Sequence, residues 1–143
     1  MDRNSLRGYE TFDHTADIGI RAWGSEFSEV FEEAAKALFS VIVDLKTLSA
    51  GQKLKIELSR DSGEELFLAW LKELLFISET KHLLFSEFRV LDLSSGKLTA
   101  QIGGELLDPR KHVLGREVKA VTYHQFKLVR EKSRYLAEVI LDI

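Results

Sequence analysis

The chain has 143 residues, the length of one domain, of which 45% are hydrophobic and 30% charged. It contains no cysteine, which excludes disulfides, thiolate metal ligands and a thiol nucleophile. The formal net charge of -3 argues against a free-standing, non-specific nucleic-acid-binding protein. Because no apolar run approaches the length of a membrane span, we expect one cytoplasmic domain over residues 1–143 without a membrane segment.

Alternation and helical periodicity predict the first half of the chain. Residues 17–23 alternate between apolar and polar positions, which predicts a half-buried strand. From Phe27 to Ile42 apolar residues recur every three or four positions, which predicts a helix with Ser25 as its N-cap. Residues 53–59 predict a second strand, and a capping box at Ser62–Glu65 opens a second helix through Ile77.

The second half of the chain predicts strands only. Four alternating segments are separated by turn residues and cover residues 85–93, 98–102, 117–130 and 135–141. The order β-α-β-α-β-β-β-β predicts an α+β fold, a two-layer sandwich in which two helices pack on a largely antiparallel sheet. Residues 103–110 are predicted to form a projecting loop.

Basic residues are concentrated in one segment, the basic segment, which covers residues 110–134. It holds eight basic and two acidic residues, a local charge of +6, and therefore leaves -9 on the rest of the chain. Such a segment could approach RNA or an acidic protein surface, or simply form a solvated face.

Three clusters could carry chemistry. Asp13, His14 and Asp17 lie just before a predicted strand and offer hard oxygens suited to Ca²⁺ or Mg²⁺ and a candidate base, although such residues also form turn hydrogen bonds. Asp142 and the oxygens of Ile143 at the chain end could complete an oxygen-only pocket with Asp17.

The third cluster is the predicted strand of residues 117–124, in which Lys119, Val121 and Tyr123 share one face and His124 lies on the other. Lys, Tyr and His at neighbouring positions could bind phosphate or serve acid–base catalysis, but they are also ordinary surface residues. The sequence has no G-x-G-x-x-G, Walker, G-x-S-x-G or H-E-x-x-H motif, which argues against a nucleotide-dependent enzyme.

Three separated motifs resemble the archease family. They are D-H-T-A-D-I-G-I from Asp13, V-K-A-V-T-Y-H from Val118, and I-L-D-I at residues 140–143, and they occur within a match that extends over essentially the whole chain. The resemblance implies an α/β sandwich of the strand-helix-strand-strand type and a bound divalent cation, Ca²⁺ or else Mg²⁺. Its ligands would be Asp17, Asp142 and Ile143, the last through a terminal carboxylate or a carbonyl.

The resemblance also implies a function without catalysis. Archease is an activator of the GTP-dependent RNA-splicing ligase in tRNA splicing and RNA repair, and promotes ligase guanylylation and multiple turnover. Contact with tRNA would then be indirect. Asp13, His14, Lys119, Tyr123 and His124 would contribute to partner contact and activation, with Lys119 matching a motif lysine.

Three other hypotheses remain open at this point. The chain could be a chaperone-like modulator of a tRNA cytosine methyltransferase, which the resemblance also implies. It could bind tRNA directly through the basic segment. It could also be a metal-dependent hydrolase built on Asp13, His14 and Asp17.

Overall fold

The computed structural model describes residues 6–143, which share one hydrophobic core. Their α+β class confirms the sequence prediction. The elements are, in chain order, β1 (Gly8–His14), β2 (Asp17–Gly24), α1 (Phe27–Ile42), a short 3₁₀ helix (Leu45–Thr47), β3 (Gln52–Ser59), α2 (Gly63–Lys81), β4 (Leu83–Ser94), β5 (Lys97–Leu106), β6 (Ala120–Glu131) and β7 (Arg134–Asp142).

The strands form two sheets rather than the single sheet predicted. The first sheet has the order β1-β2-β7-β6 and the second has the order β3-β5-β4, and all neighbours are antiparallel. Both helices contact both sheets, since α1 packs on β2 and β4 and α2 packs on β6, β4 and β3. The number of sheets depends on which distant strands pair with each other. Alternation of apolar and polar residues within one strand does not predict its partners.

Helix α1 is apolar on most of its surface because it lies against both sheets. Its buried residues include Phe31, Leu38 and Phe39, all with 0% exposure. The predicted cap is displaced by one position: Glu26 is the N-cap, and Ser25 instead donates its backbone N–H and its hydroxyl to the Glu29 carboxylate, over 2.9 and 3.0 Å. In α2 the predicted cap is confirmed, since the Ser62 hydroxyl accepts from the Glu65 N–H at 3.1 Å.

A buried hydrogen bond joins the two helices. The indole Nε1–H of Trp70 on α2 donates to the Phe31 carbonyl on α1 over 2.9 Å, and the Trp70 side chain has 0% exposure. Aromatic rings extend this contact, with Phe31 and Phe67 packed edge to face at 5.1 Å. The helix pair is therefore fixed by shape and by one directional bond.

Strand β1 was not predicted. Its residues alternate between half-buried and exposed, and only Gly8 is fully buried, so the segment lacks a continuous apolar face. It is nevertheless paired with β2 along its whole length, from Gly8 opposite Trp23 to His14 opposite Asp17. As an edge strand, it needs little apolar content, because one side is open to solvent.

The predicted loop at residues 103–110 is wrong over its first part, because β5 continues to Leu106. Gly103 and Gly104 both pair with β4 and with β3. A Cβ atom at Gly104 would lie 1.9 Å from the Leu84 carbonyl oxygen, so this glycine serves close strand packing rather than a turn. The irregular connection between β5 and β6 instead covers residues 107–119.

That connection is held by a cluster around Glu105. The Lys111 ammonium donates to both Glu105 oxygens at 2.7 and 2.9 Å, and the Ser49 N–H and hydroxyl also donate to Glu105. His112 is buried; its Nδ1 accepts from the Asp108 N–H at 2.9 Å, and its Nε2 lies 3.4 Å from Glu105. The hydrogen bond from Lys111, with that from the Ser49 backbone, lowers the pKa of Glu105 to about 2.

Candidate functional site

The candidate site lies where the β1–β2 turn, the end of β7 and the start of β6 meet at one end of the first sheet. Ile18 pairs with Leu141, so the same register places Asp17 opposite Asp142 one position further on. Ala120 of β6 pairs with Asp142 on its other side. Cross-strand neighbours share a face, so the two carboxylates project from the same side of the sheet.

That side of the sheet is the outer face, opposite the helices. Arg21, Glu10 and Glu138 define it, because they form one rung across β1, β2 and β7 with Arg21 hydrogen-bonded to both carboxylates at 2.7 and 2.5 Å. Strand alternation then assigns Asp17 and Asp142 to the outer face and Ile18 and Leu141 to the core face, in agreement with Ile18 packing against the core and Leu141 being fully buried.

Arg21 is already committed to this rung. Partial burial alone would lower the pKa of Arg21, but the hydrogen bonds that it donates to Glu10 and Glu138 outweigh that effect and raise its pKa. Its guanidinium also lies over the Phe12 ring, 4.5 Å from the centroid. Arg21 therefore balances its own two glutamates and is not the counter-ion of Asp17 or Asp142.

His14 faces the same cluster from β1. It pairs with Asp17, and its Nδ1 lies 4.0 Å from the Asp17 Oδ2, with the two side chains 25% and 35% exposed. The Nδ1 atom itself is buried and has no hydrogen-bond partner among the described residues. The other ring nitrogen, Nε2, is hydrogen-bonded to the Gln125 Oε1 at 2.8 Å.

Gln125 was not among the predicted site residues. It lies where β6 leaves its ladder with β7, because pairing is interrupted between Thr122 and Lys127. Its φ of 52° lies in the left-handed region, which is uncommon for a residue other than glycine. The polarity of neighbouring residues in the sequence does not predict this conformation. In the sequence, the one indication that Gln125 belongs to the site is its position next to His124, a predicted site residue. In the structure, the His124 ring lies edge-on to the His14 ring, with centroids 5.8 Å apart.

Lys119 lies beside the acidic pair. Its backbone N–H donates to the Asp142 carbonyl at 2.7 Å, which fixes the start of β6 against the end of β7. The strand begins at Ala120 rather than at residue 117, and its pairing with β7 is interrupted between Thr122 and Lys127, so the predicted continuous strand from residue 117 is wrong. Lys119 itself is exposed.

Two predicted residues lie apart from this cluster. Asp13 pairs with Ile18 and therefore belongs to the opposite face from His14 and Asp17. Tyr123 is 66% exposed, lies 5.5 Å from the Phe126 ring, and lines a groove against α2 with Lys72 and Phe76. The three side chains that the hydrolase hypothesis needs are thus divided between two faces of the sheet.

The oxygen donors at this end suit a hard cation. Within residues 6–143, no three His, Asp or Glu side chains are grouped as a metal site, so side chains alone do not complete one. Asp17 and Asp142 supply two carboxylates on neighbouring strands, and Ile143 follows Asp142 directly. A third protein donor at this end would therefore be a backbone oxygen rather than an acidic or histidine side chain.

The basic segment does not form one continuous cationic face. Lys111 is bound to Glu105, and Lys127 lies opposite Glu138 in the ladder of β6 and β7. Arg130 and Arg134 lie over the rings of Tyr135 and Trp23, 5.3 and 5.7 Å from the centroids. Their charges are distributed over a connection, a strand and a turn, which argues against a groove that follows a phosphate backbone.

Comparison with known proteins finds matches within one family. The model of the archease protein family matches residues 9–143. The chain is 39% identical to Protein archease of Pyrococcus furiosus over 142 residues, which are 96% of this chain and 100% of that protein. It is 40% identical to Protein archease of Methanosarcina barkeri over 94% of this chain and 95% of that protein.

Solved structures show the same fold. The solution structure of protein 1598 from Methanobacterium thermoautotrophicum superposes with a TM-score of 0.84 at 40% identity, over 95% of this chain and 99% of that one. The crystal structure of an archease from Thermotoga maritima, described as a possible chaperone, gives a TM-score of 0.64 at 19% identity over 94% and 96%. Among residues 6–143, no helix is long and apolar enough to cross a membrane.

Proposed function

Because the chain belongs to the archease family, we propose that it is a non-enzymatic activator of a GTP-dependent RNA-splicing ligase. It would promote guanylylation of the ligase and return the ligase to further rounds of turnover. The observation that carries this proposal is the acidic pair Asp17–Asp142, opposite each other on the outer face and without Arg21 as a counter-ion. Such a site offers two carboxylates that can accept hydrogen bonds or bind a cation.

The same residues would hold a divalent cation, Ca²⁺ or Mg²⁺. Asp17, Asp142 and a backbone oxygen of Ile143 are the donors, and oxygen-only donors favour these hard ions. When bound, the cation would supply the positive charge that the two carboxylates otherwise lack. The chain's own contribution is to hold both carboxylates in register on rigid strands.

Activation by such a surface requires preferential binding to one state of the ligase. Contacts that favour the guanylylation-competent conformation increase its population, and contacts equal in both conformations change nothing. Asp17 and Asp142 are partly or fully exposed, and Lys119, whose backbone N–H donates to the Asp142 carbonyl, is also exposed, so acidic and basic residues share one rim of the sheet. We propose that this rim contacts the ligase.

A ligation assay tests the proposal. The ligase is supplied at substoichiometric concentration with GTP and RNA ends, with or without the chain, and covalent attachment of GMP to the ligase is measured in parallel. We expect multiple turnover only with the chain. Asp17→Asn, Asp142→Asn and Lys119→Ala should each reduce stimulation by about 5- to 150-fold, the usual range of coupling between sites.

Matched controls come from exposed residues outside the rim. Asp61→Asn and Lys97→Ala remove the same charges from the turn before α2 and from the start of β5, and should leave stimulation intact. Absence of any stimulation by the wild-type chain would refute the activator proposal. Phosphoester turnover by the chain alone would refute its non-enzymatic part.

A further inference from the structure

Residues 123–126 form an excursion of β6, in which the strand leaves its ladder with β7 between Thr122 and Lys127. One side of it is anchored in the interior, because the Phe126 ring packs 5.9 Å from Phe67 of α2 and 5.5 Å from Tyr123. The other side carries His124 and Gln125, which both reach His14. The excursion therefore joins the core on one side to the candidate site on the other.

His14 and Gln125 belong to opposite edges of this sheet. Its order is β1-β2-β7-β6, so two strands lie between them. Neighbouring strands are about 4.8 Å apart, and three such intervals give about 14 Å in a flat sheet. A hydrogen bond of 2.8 Å between the two side chains is possible only because β6 leaves its ladder and Gln125 adopts a left-handed backbone conformation.

This hydrogen bond determines which ring nitrogen of His14 carries the proton. The amide oxygen of Gln125 only accepts hydrogen bonds, so the His14 Nε2 must carry the proton. In the neutral ring Nδ1 then presents a lone pair, and Nδ1 is the buried, unpartnered atom 4.0 Å from the Asp17 carboxylate. The His14 Nδ1 lone pair and the Asp17 carboxylate are thus two neighbouring acceptors, which favour binding of a cationic or hydrogen-donating group.

We infer that Gln125 is a positioning residue of this site, which fixes the tautomer and orientation of His14 so that Nδ1 faces Asp17. The consequence for ligase activation rests on the proposed function, whereas the consequence for His14 does not. Gln125 touches no ligand itself and acts through the imidazole. Its exposed side chain is not required by the core.

The experiment compares three variants at pH 8.5, where imidazole is ordinarily neutral. Gln125→Met keeps the side-chain length and removes the acceptor oxygen, and Gln125→Glu keeps an acceptor. Gln101→Met makes the same change at an exposed glutamine of β5. Nitrogen-15 NMR of the His14 ring reports the tautomer, and GMP attachment to the ligase reports activation.

We expect Gln125→Met to convert the single His14 tautomer into a mixture and to lower stimulation by about tenfold, as for other groups that orient a site through a neighbour. Gln125→Glu should retain the Nε2-protonated ring and most of the stimulation, and Gln101→Met should change neither. An unchanged His14 spectrum in Gln125→Met would overturn the inference, and so would full stimulation despite a mixed tautomer. A wild-type chain that stimulates no ligase would refute the proposed function. If Gln125→Met still converts the single His14 tautomer into a mixture, the role of Gln125 in orienting His14 stands.

Discussion

Asp142→Asn should change the stability of the protein in opposite directions with and without a divalent cation. Asp17 and Asp142 are opposite each other on neighbouring strands, where Cβ atoms are about 5 Å apart. Two like charges at about 5 Å repel by about 0.8 kcal/mol in water and by about 3 kcal/mol at an effective dielectric constant of 20. Asp142 is exposed, so we take a value near the lower limit, about 1 kcal/mol.

In a chelating buffer, Asp142→Asn should therefore raise the free energy of unfolding by about 1 kcal/mol, or Tm by about 3 °C. With Ca²⁺ at about 100 times its Kd, the wild type should gain about 2.7 kcal/mol by mass action, because only the folded chain brings the oxygen donors together. The variant lacks one donor and should gain much less. The order of stability of the two proteins should then invert between the buffers.

Urea unfolding followed by circular dichroism measures both differences. Asp13→Asn is the matched control, because it makes the same change in the same hairpin on the opposite face of the sheet. It should leave the gain from Ca²⁺ unchanged. Lower stability of Asp142→Asn in the chelating buffer, or an equal gain from Ca²⁺ in both proteins, would refute the reasoning.

Two further predictions concern the frame around the site. The pKa of Glu105 is lowered to about 2, so its stabilising effect is complete above the ordinary value of 4.5 and is lost as the pH falls towards 2. Glu105→Gln should flatten this acid loss in urea midpoints measured from pH 5 to 2, whereas an equally steep loss would contradict the assignment; Glu131→Gln is the control. Trp70→Phe should cost about 2–3 kcal/mol and lower Tm by about 6–9 °C, from the lost bond to Phe31 and the space left behind. Phe76→Leu, at a residue of α2 that is 60% exposed, should cost far less stability. Equal losses of Tm in calorimetry would show that the buried bond is unimportant.

Helices and most strands could be predicted because their signals are local. The apolar periodicity of α1 and the Ser62 cap of α2 are properties of short segments, and both agree with the structure. Strand β1 was missed because an edge strand with one open side needs no apolar alternation. The division into two sheets depends on which distant strands pair, and no short segment contains that information.

Part of the candidate site could be predicted from the sequence. Asp17, Asp142 and Ile143 follow from motif chemistry and family resemblance, and the register of β2 and β7 places the two aspartates opposite each other. Gln125 could not be predicted, because its contact with His14 depends on a bulge and on one left-handed backbone conformation. The same segment packs Phe126 against Phe67 of α2, a long-range contact that polarity along the strand does not report.

The arrangement of charges across the outer face explains why the rim remains available to a cationic group. The rung of Glu10, Arg21 and Glu138 is internally hydrogen-bonded, so its single cation is used by two carboxylates and a net negative charge remains. Towards the end of the sheet, the next rung holds Asp17 and Asp142, with neutral Ala120 beyond them and Lys119 directly before Ala120. The charge at the rim therefore stays negative, while Lys111 and Arg134 of the basic segment contact Glu105 and Trp23 elsewhere. A field of this sign attracts metal ions and basic side chains and repels RNA, which favours a protein or cation contact over direct RNA binding at this end.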